Sequence, residues 1–145
     1  MSAETLFSLA SAAVTPGWLL LVFAPRWRWT ARLVAPVLIP AMLAVLYVTL
    51  LIVHMPGAQG GFGSLAEVQR LFASPWLLLA GWVHYLAFDL FIGSWQVRDA
   101  QRHGIRHLLV VPCLVPTFLF GPAGLLLYFA IRTASKRRVA VDELT

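Results

Sequence analysis

His84 and Asp89 are the residues of this chain best suited to chemistry. Both are ionisable, and both lie inside the apolar run Gly81-Trp82-Val83-His84-Tyr85-Leu86-Ala87-Phe88-Asp89-Leu90-Phe91. An imidazole and a carboxyl group are common general acid–base partners. In a segment apolar enough to cross a bilayer each is expensive, so a functional role is the first hypothesis. At about 100° per residue the two stand about 140° apart, too far round one helix to hydrogen-bond. Tyr85 and Asp89, spaced by four, can meet. His84, Phe88, Phe91 and Trp95 share one helical face, whereas Tyr85, Asp89 and Gln96 share another, with Trp82 and Gly93 beside it. The functional reading is a proton-handling pair with a substrate held between helices. The structural reading is interhelical hydrogen bonding that fixes how a bundle packs.

A second polar stretch runs from Trp95 through Arg98, Asp99, Arg102 and His103 to Gly104 and His107. Arg98, Asp99 and His107 are candidates to hold the polar end of a substrate at the membrane surface. The plainer reading is a solvated turn in which Gly104 caps the preceding helix. Trp82, Phe88, Phe91 and Trp95 suit a slot for a flat conjugated lipid, and equally a bundle core. The four histidines do not converge: His54 ends one segment, His84 lies deep in another, and His103 and His107 straddle a turn. A haem axial pair is therefore disfavoured. The single Cys113 supports neither a disulfide nor a thiolate site. No metal and no cofactor are expected.

These residues need a membrane scaffold to position them. Of the 145 residues 60% are hydrophobic and only 12% charged, against about 25% charged in ordinary soluble domains. The chain therefore reads as a single transmembrane domain over residues 1–145. The net charge of +5 is not a nucleic-acid footprint, because the arginines punctuate the ends of apolar runs. Four apolar segments, about 5–24, 33–55, 75–96 and 107–131, are each long enough to cross about 30 Å of hydrocarbon. The expectation is an all-α polytopic protein of four transmembrane helices in an antiparallel bundle.

Local signals place the ends of these elements. Pro25-Arg26-Trp27-Arg28-Trp29 is an interface-seeking stop, and Pro36 and Pro40 fall in the first turns of the second segment. Ser64-Leu65-Ala66-Glu67 fits a capping box opening a short interfacial helix, and Pro75 suits a first helical position after Ser74. In the fourth segment Pro112, Pro116 and Pro122, with Gly121 and Gly124, predict a bent helix that either makes room for a ligand or packs closely. Orientation is nearly balanced. Arg26, Arg28, Arg32, Arg98, Arg102 and Arg106 fall on one side of a four-helix arrangement, and Arg70, Arg132, Lys136, Arg137 and Arg138 on the other. Glu4 before the first helix and three arginines after it favour both termini outside. No basic leader or cleavage motif precedes the first segment, which reads as a retained helix of an integral inner-membrane protein.

The stretch from Gly81 to Arg132 resembles the neoxanthin-synthase-like membrane family, whose plant members are known from abscisic-acid-deficient mutants. The residues carrying the resemblance are Trp82 to Gly93, Arg98-Asp99, His107-Leu108, Pro112-Cys113-Leu114 and Phe120-Gly121-Pro122-Ala123-Gly124-Leu125-Leu126, with Ala24-Pro25-Arg26-Trp27 and Gly61-Phe62-Gly63-Ser64 upstream. Without a plastid transit sequence, the chain is closer to the compact bacterial members. The resemblance implies four membrane helices and a carotenoid or related isoprenoid ligand. It further implies isomerisation of a 5,6-epoxide to an allenic alcohol without a redox cofactor. Carried onto this sequence, it makes His84 and Asp89 the acid–base pair, with Tyr85 supporting Asp89. Trp82, Phe88 and Trp95 would hold the polyene, and Arg98, Asp99 and His107 a terminal hydroxyl. The expected partners are membrane lipid and either a second copy of the chain or a partner membrane enzyme. The competing readings are a non-enzymatic membrane module, in which His84 and Asp89 are structural glue, and a haem-binding membrane protein.

Overall fold

The structure is a computed structural model and describes residues 1–136; Arg137 and Arg138 lie outside the described residues. It is all-helical, with α1 (Ala3–Phe23), a π-helical entry (Thr30–Leu38) running into α2 (Ile39–His54), α3 (Leu65–Phe72), α4 (Pro75–Arg102), α5 (His107–Phe120) and α6 (Pro122–Lys136). Three spans, Ala3–Phe23, Arg32–His54 and Pro75–Arg102, are long and apolar enough to cross a membrane.

The central element is α4, which packs against α1, α2 and α5. Small residues let α1 approach it closely. A methyl group on Gly93 would stand 2.7 Å from the Trp18 ring, and one on Gly17 2.9 Å from Leu90. Association in lipid relies on such close van der Waals packing, because the surrounding acyl chains are as apolar as leucine. On α2, by contrast, Val45, Val48, Ile52 and Val53 are exposed, as a lipid-facing surface requires.

The local signals hold at several ends. Ser64 accepts from the Glu67 amide at 3.2 Å, and Glu67 accepts from the Gly63 amide at 3.0 Å, opening α3. Pro75 occupies the first turn of α4. At the far end Gly104 has φ +64°, and the Ile105 amide reaches back to the Ala100 carbonyl at 2.8 Å. That is the glycine-capped helix end anticipated for this position. The π-helical entry lies outside what the sequence signals predicted. The Val34 amide bonds the Trp29 carbonyl, five residues back, at 2.9 Å. Pro36, which has no amide to donate, sits inside the widened turns.

The fourth apolar segment is corrected. Instead of one bent helix from His107 to Ile131, the chain breaks at Gly121, where φ is +44°, and α6 folds back along α5. Gly124 packs directly onto Thr117 and the Cys113 carbonyl, eleven residues earlier. Further along α6, Arg132 reaches His103 at the end of α4. At about 1.5 Å per residue, the 14 residues of α5 reach about 21 Å, short of the about 30 Å of hydrocarbon. The pair is a helical hairpin whose two outer ends lie together at the His103 end of α4, as a re-entrant element would. Such a break is tolerated at membrane depth when protein surrounds it, and Gly121, Gly124 and Thr117 are buried.

The hairpin also changes the charge balance. Met1 lies at the Pro75 end of α4, and the described chain ends at the His103 end, so the two ends do not share a side as expected. Among the described residues, Arg26, Arg28, Arg32, Arg98, Arg102, Arg106, Arg132 and Lys136 now belong to one end of the bundle, and Arg70 to the other. The positive-inside rule predicts that the arginine-rich end is the cytoplasmic one. Expressed in a bacterial inner membrane on a Cys113→Ala background, Arg28→Cys should resist an impermeant maleimide in intact cells and Gln59→Cys should react. The reverse pattern would overturn this orientation.

Candidate functional site

Tyr85, Asp89, Gln96, Asp99 and His103 form one stripe down α4, and the α5–α6 hairpin lies over it. At the surface end the contacts are ionic. Asp99 Oδ2 accepts from the Tyr128 hydroxyl at 2.6 Å and lies 2.8 Å from Arg132 Nε. His103 Nδ1 is 2.8 Å from the Asp99 carbonyl, and its Nε2 is 3.3 Å from an Arg132 terminal nitrogen. Arginine can only donate, so the tautomer with the proton on Nδ1 satisfies both contacts. Arg132 is 1% exposed and Tyr128 0%, and Trp95 packs edge-on against Tyr128 at 5.6 Å. Midway down the stripe, Gln96 Nε2 donates to Thr117 Oγ1 at 3.0 Å, and Thr117 donates to the Cys113 carbonyl at 2.7 Å.

At the hairpin tip, near the middle of α4, stands Asp89. Its carboxylate is packed so closely on Gly121 that a methyl group there would lie 2.5 Å from Oδ1. Any other residue would also strain the positive φ. Asp89 Oδ2 is buried without a hydrogen-bond partner among the described residues. A buried polar atom left in that state is costly and asks for a ligand or a function. Tyr85, one turn earlier, interacts with the Asp89 carboxylate and donates to the Phe118 carbonyl at 3.4 Å.

Tyr85 also forms part of the wall of a cleft of about 620 Å³ between α1, α3 and α4, together with Phe7, Phe72, Leu78, Gly81 and Trp82. Trp82 Nε1 donates to Ser11 Oγ at 3.0 Å, and its ring lies 5.3 Å from those of Phe7 and Tyr85. The cleft is largely apolar and aromatic, with Tyr85 and Glu4 as the polar residues of its wall. That suits an elongated hydrophobic ligand.

The expected site residues are therefore dispersed. His84 stands on another face of α4, stacked on Phe88 at 4.6 Å and 5.6 Å from the Tyr47 ring of α2. The structure does not bring it to Asp89. Phe88 follows His84, away from the cleft that holds Trp82 and Tyr85. Arg98, Asp99 and His107, grouped in the sequence reading, go to three places. Asp99 joins Arg132 and Tyr128 inside the protein. His107 contacts the Val22 carbonyl at 2.9 Å, and Arg98 lies over the Phe91 ring at 6.0 Å. Tyr128, Arg132, Thr117 and His103 were missed as site residues. The available signal was the four-residue spacing of Tyr128 and Arg132 on one helical face.

Residues 5–128 match the family described as ABA DEFICIENT 4-like. The chain belongs to that family. It is also 28% identical over 140 residues to "Protein ABA DEFICIENT 4, chloroplastic" of Arabidopsis thaliana, covering 90% of this chain and 61% of that protein. It thus spans about three fifths of the relative's length. No solved structure matches it. The ABA DEFICIENT 4-like match ends at Tyr128, so it includes Asp89, Asp99 and the hairpin tip and stops before Arg132.

The buried ion pair is testable by stability. Arg132→Leu leaves Asp99 uncompensated, and the expected loss is about 3–5 kcal/mol in a denaturant titration in detergent micelles. The double variant Asp99→Leu/Arg132→Leu should recover much of it. Equal losses in the single and double variants would mean that the pair does not hold the hairpin.

Proposed function

We propose that this protein binds a carotenoid in the apolar cleft and isomerises an epoxide end group brought to Asp89. Membership of the ABA DEFICIENT 4-like family supports a carotenoid-related role. The observation that carries the chemistry is the buried Asp89 carboxyl, its Oδ2 without a hydrogen-bond partner, behind Tyr85 on the wall of an aromatic cleft.

The step is the conversion of a 5,6-epoxide, as in violaxanthin, to the 5-hydroxy-6,7-allene of neoxanthin. The Asp89 carboxylic acid gives its proton to the epoxide oxygen as the C6–O bond breaks. The electron pair of the C7–H bond forms the new C6–C7 π bond, and the Asp89 carboxylate accepts that hydrogen as a proton. Atoms and charge balance, the acid is regenerated, and no oxidant or reductant is consumed. Tyr85 positions the carboxyl by its contact, and Phe7, Phe72 and Trp82 hold the polyene by apolar and stacking contacts. The break at Gly121 helps on the opposite side, because the start of α6 turns the positive end of a helix dipole towards the carboxylate. His84, turned to α2, has no part in this step.

Expression in a violaxanthin-accumulating bacterial host, followed by pigment chromatography with mass detection, tests the reading. A product of unchanged mass and altered absorption is expected. Asp89→Asn should lower its yield by about 10²- to 10⁴-fold, the range for loss of a general acid–base group, whereas His84→Ala should keep it. An unchanged pigment profile with folded protein in the membrane would contradict the isomerase and favour a non-enzymatic membrane module.

A further inference from the structure

On the face of α4 that carries His84, turned from Asp89, a second cleft of about 290 Å³ lies between α2, α3 and α4, with Tyr47, Leu51, Leu71, Phe72, Leu77 and His84 on its wall. We propose that it binds the hydroxylated end ring of a carotenoid, held by that hydroxyl between Tyr47 and His84. The proposal rests on the carotenoid-related role above and not on the isomerisation at Asp89.

The two polar residues of this wall lie deep in spanning helices. At 1.5 Å per residue, His84 is about 14 Å along α4 from Pro75, and Tyr47 about 10 Å along α2 from His54. Their rings are 5.6 Å apart, and His84 otherwise stacks on Phe88. Among the described residues, neither the Tyr47 hydroxyl nor either ring nitrogen of His84 has a hydrogen-bond partner. Other polar side chains of the spanning helices are satisfied. Thr15 and Thr49 donate to the carbonyl four residues back at 3.4 and 2.8 Å, and Trp82 Nε1 donates to Ser11. A polar group without a partner in hydrocarbon is costly. Two of them on one cleft call for a ligand that satisfies both.

A hydroxyl group fits that pair in both senses. A phenol donates and a neutral imidazole has one acceptor nitrogen, so the ligand oxygen accepts from Tyr47 and donates to His84. An anion does not fit, because no lysine or arginine lines the cleft among the described residues and a charge at this depth is expensive. The rest of the wall is apolar. The volume is at the small end of the range for ligand pockets, which suits one substituted ring with its attached chain running out into the lipid. Towards the membrane surface α3 closes the cleft. Leu71 and Leu77 are buried, and Phe72 sits so close on Gly81 that a methyl group there would lie 3.1 Å from its ring. The open side carries His84 with Phe88 next to it, both exposed at hydrocarbon depth, so the ligand enters sideways from the bilayer.

The test uses the full chain in phosphatidylcholine nanodiscs, with pigment affinity read from quenching of tryptophan fluorescence. Zeaxanthin has a hydroxyl on each end ring and no epoxide, and β-carotene has the same skeleton without hydroxyls. Zeaxanthin should bind about tenfold more tightly. His84→Leu should abolish that preference and Tyr47→Phe should cut it about threefold, both variants melting like the parent without pigment. Asp89→Asn should leave the preference intact, so this site and the isomerase reading can fail separately. If a short-chain quinol displaces zeaxanthin, and the same two variants abolish quinol binding, the hydroxyl site stands and the carotenoid assignment falls. If the parent binds both pigments equally, or His84→Leu keeps the preference, the site is overturned. A dimer in native mass spectrometry that His84→Leu breaks would also overturn it, since a second copy then covers this face.

Discussion

The architecture depends on the Asp99–Arg132 ion pair, 2.8 Å long and sealed from solvent, with the Tyr128 hydroxyl on the same carboxylate oxygen. A guanidinium and a carboxylate inside protein are each costly alone, and their mutual attraction repays that cost only when geometry and added hydrogen bonds are good. Here the Tyr128 hydroxyl on the carboxylate and His103 beside the guanidinium add hydrogen bonds to the pair. Because the partners lie on α4 and α6, the pair decides where the chain goes after Gly121. It returns along α5 to the side it left instead of continuing across the bilayer. A buried pair is by itself weak evidence for stability; what this one does in the structure is tie α6 to α4.

From that choice the rest of the site follows. Folding back at Gly121 sets backbone, with no side chain between, against Asp89 near the middle of the longest helix. The short α5 covers the α4 stripe with Thr117 on Gln96, and α6 covers it with Tyr128 and Arg132 on Asp99. Each polar group on that stripe meets a partner except one oxygen of Asp89. A buried acceptor left in that state asks for an explanation, and it supports the role proposed for Asp89. The same fold-back collects the basic residues at one end, turning an ambiguous charge pattern into a strongly asymmetric one.

Much of the local structure was legible in the sequence because its causes are local. The Ser64 cap, Pro75 at a helix start and Gly104 at a helix end depend on a few adjacent residues, and so does the placing of Tyr85, Asp89 and Gln96 on one face of α4. The 140° between His84 and Asp89 already implied that they face different neighbours. The hairpin was not legible, because a 25-residue apolar run satisfies the length criterion for a span whether or not it crosses. Gly121 and Pro122 read equally well as a kink, and the signal that decides between kink and reversal is a contact between residues 33 positions apart. Arg132 looked like a flanking charge for the same reason: the carboxylate that makes its burial affordable is supplied by another helix. The π-helical entry at Pro36 was hidden likewise, since proline marks a disturbed ladder without saying which register repairs it.

The distance between spin labels at Arg106 and Ser135, on a Cys113→Ala background in lipid bilayers, tests the central claim most directly. Both positions are exposed, one just before α5 and the other near the end of α6. The re-entrant hairpin predicts a separation well below the about 30 Å of the hydrocarbon core. A continuous crossing helix would instead set the labels about 40 Å apart, and that result would contradict the account.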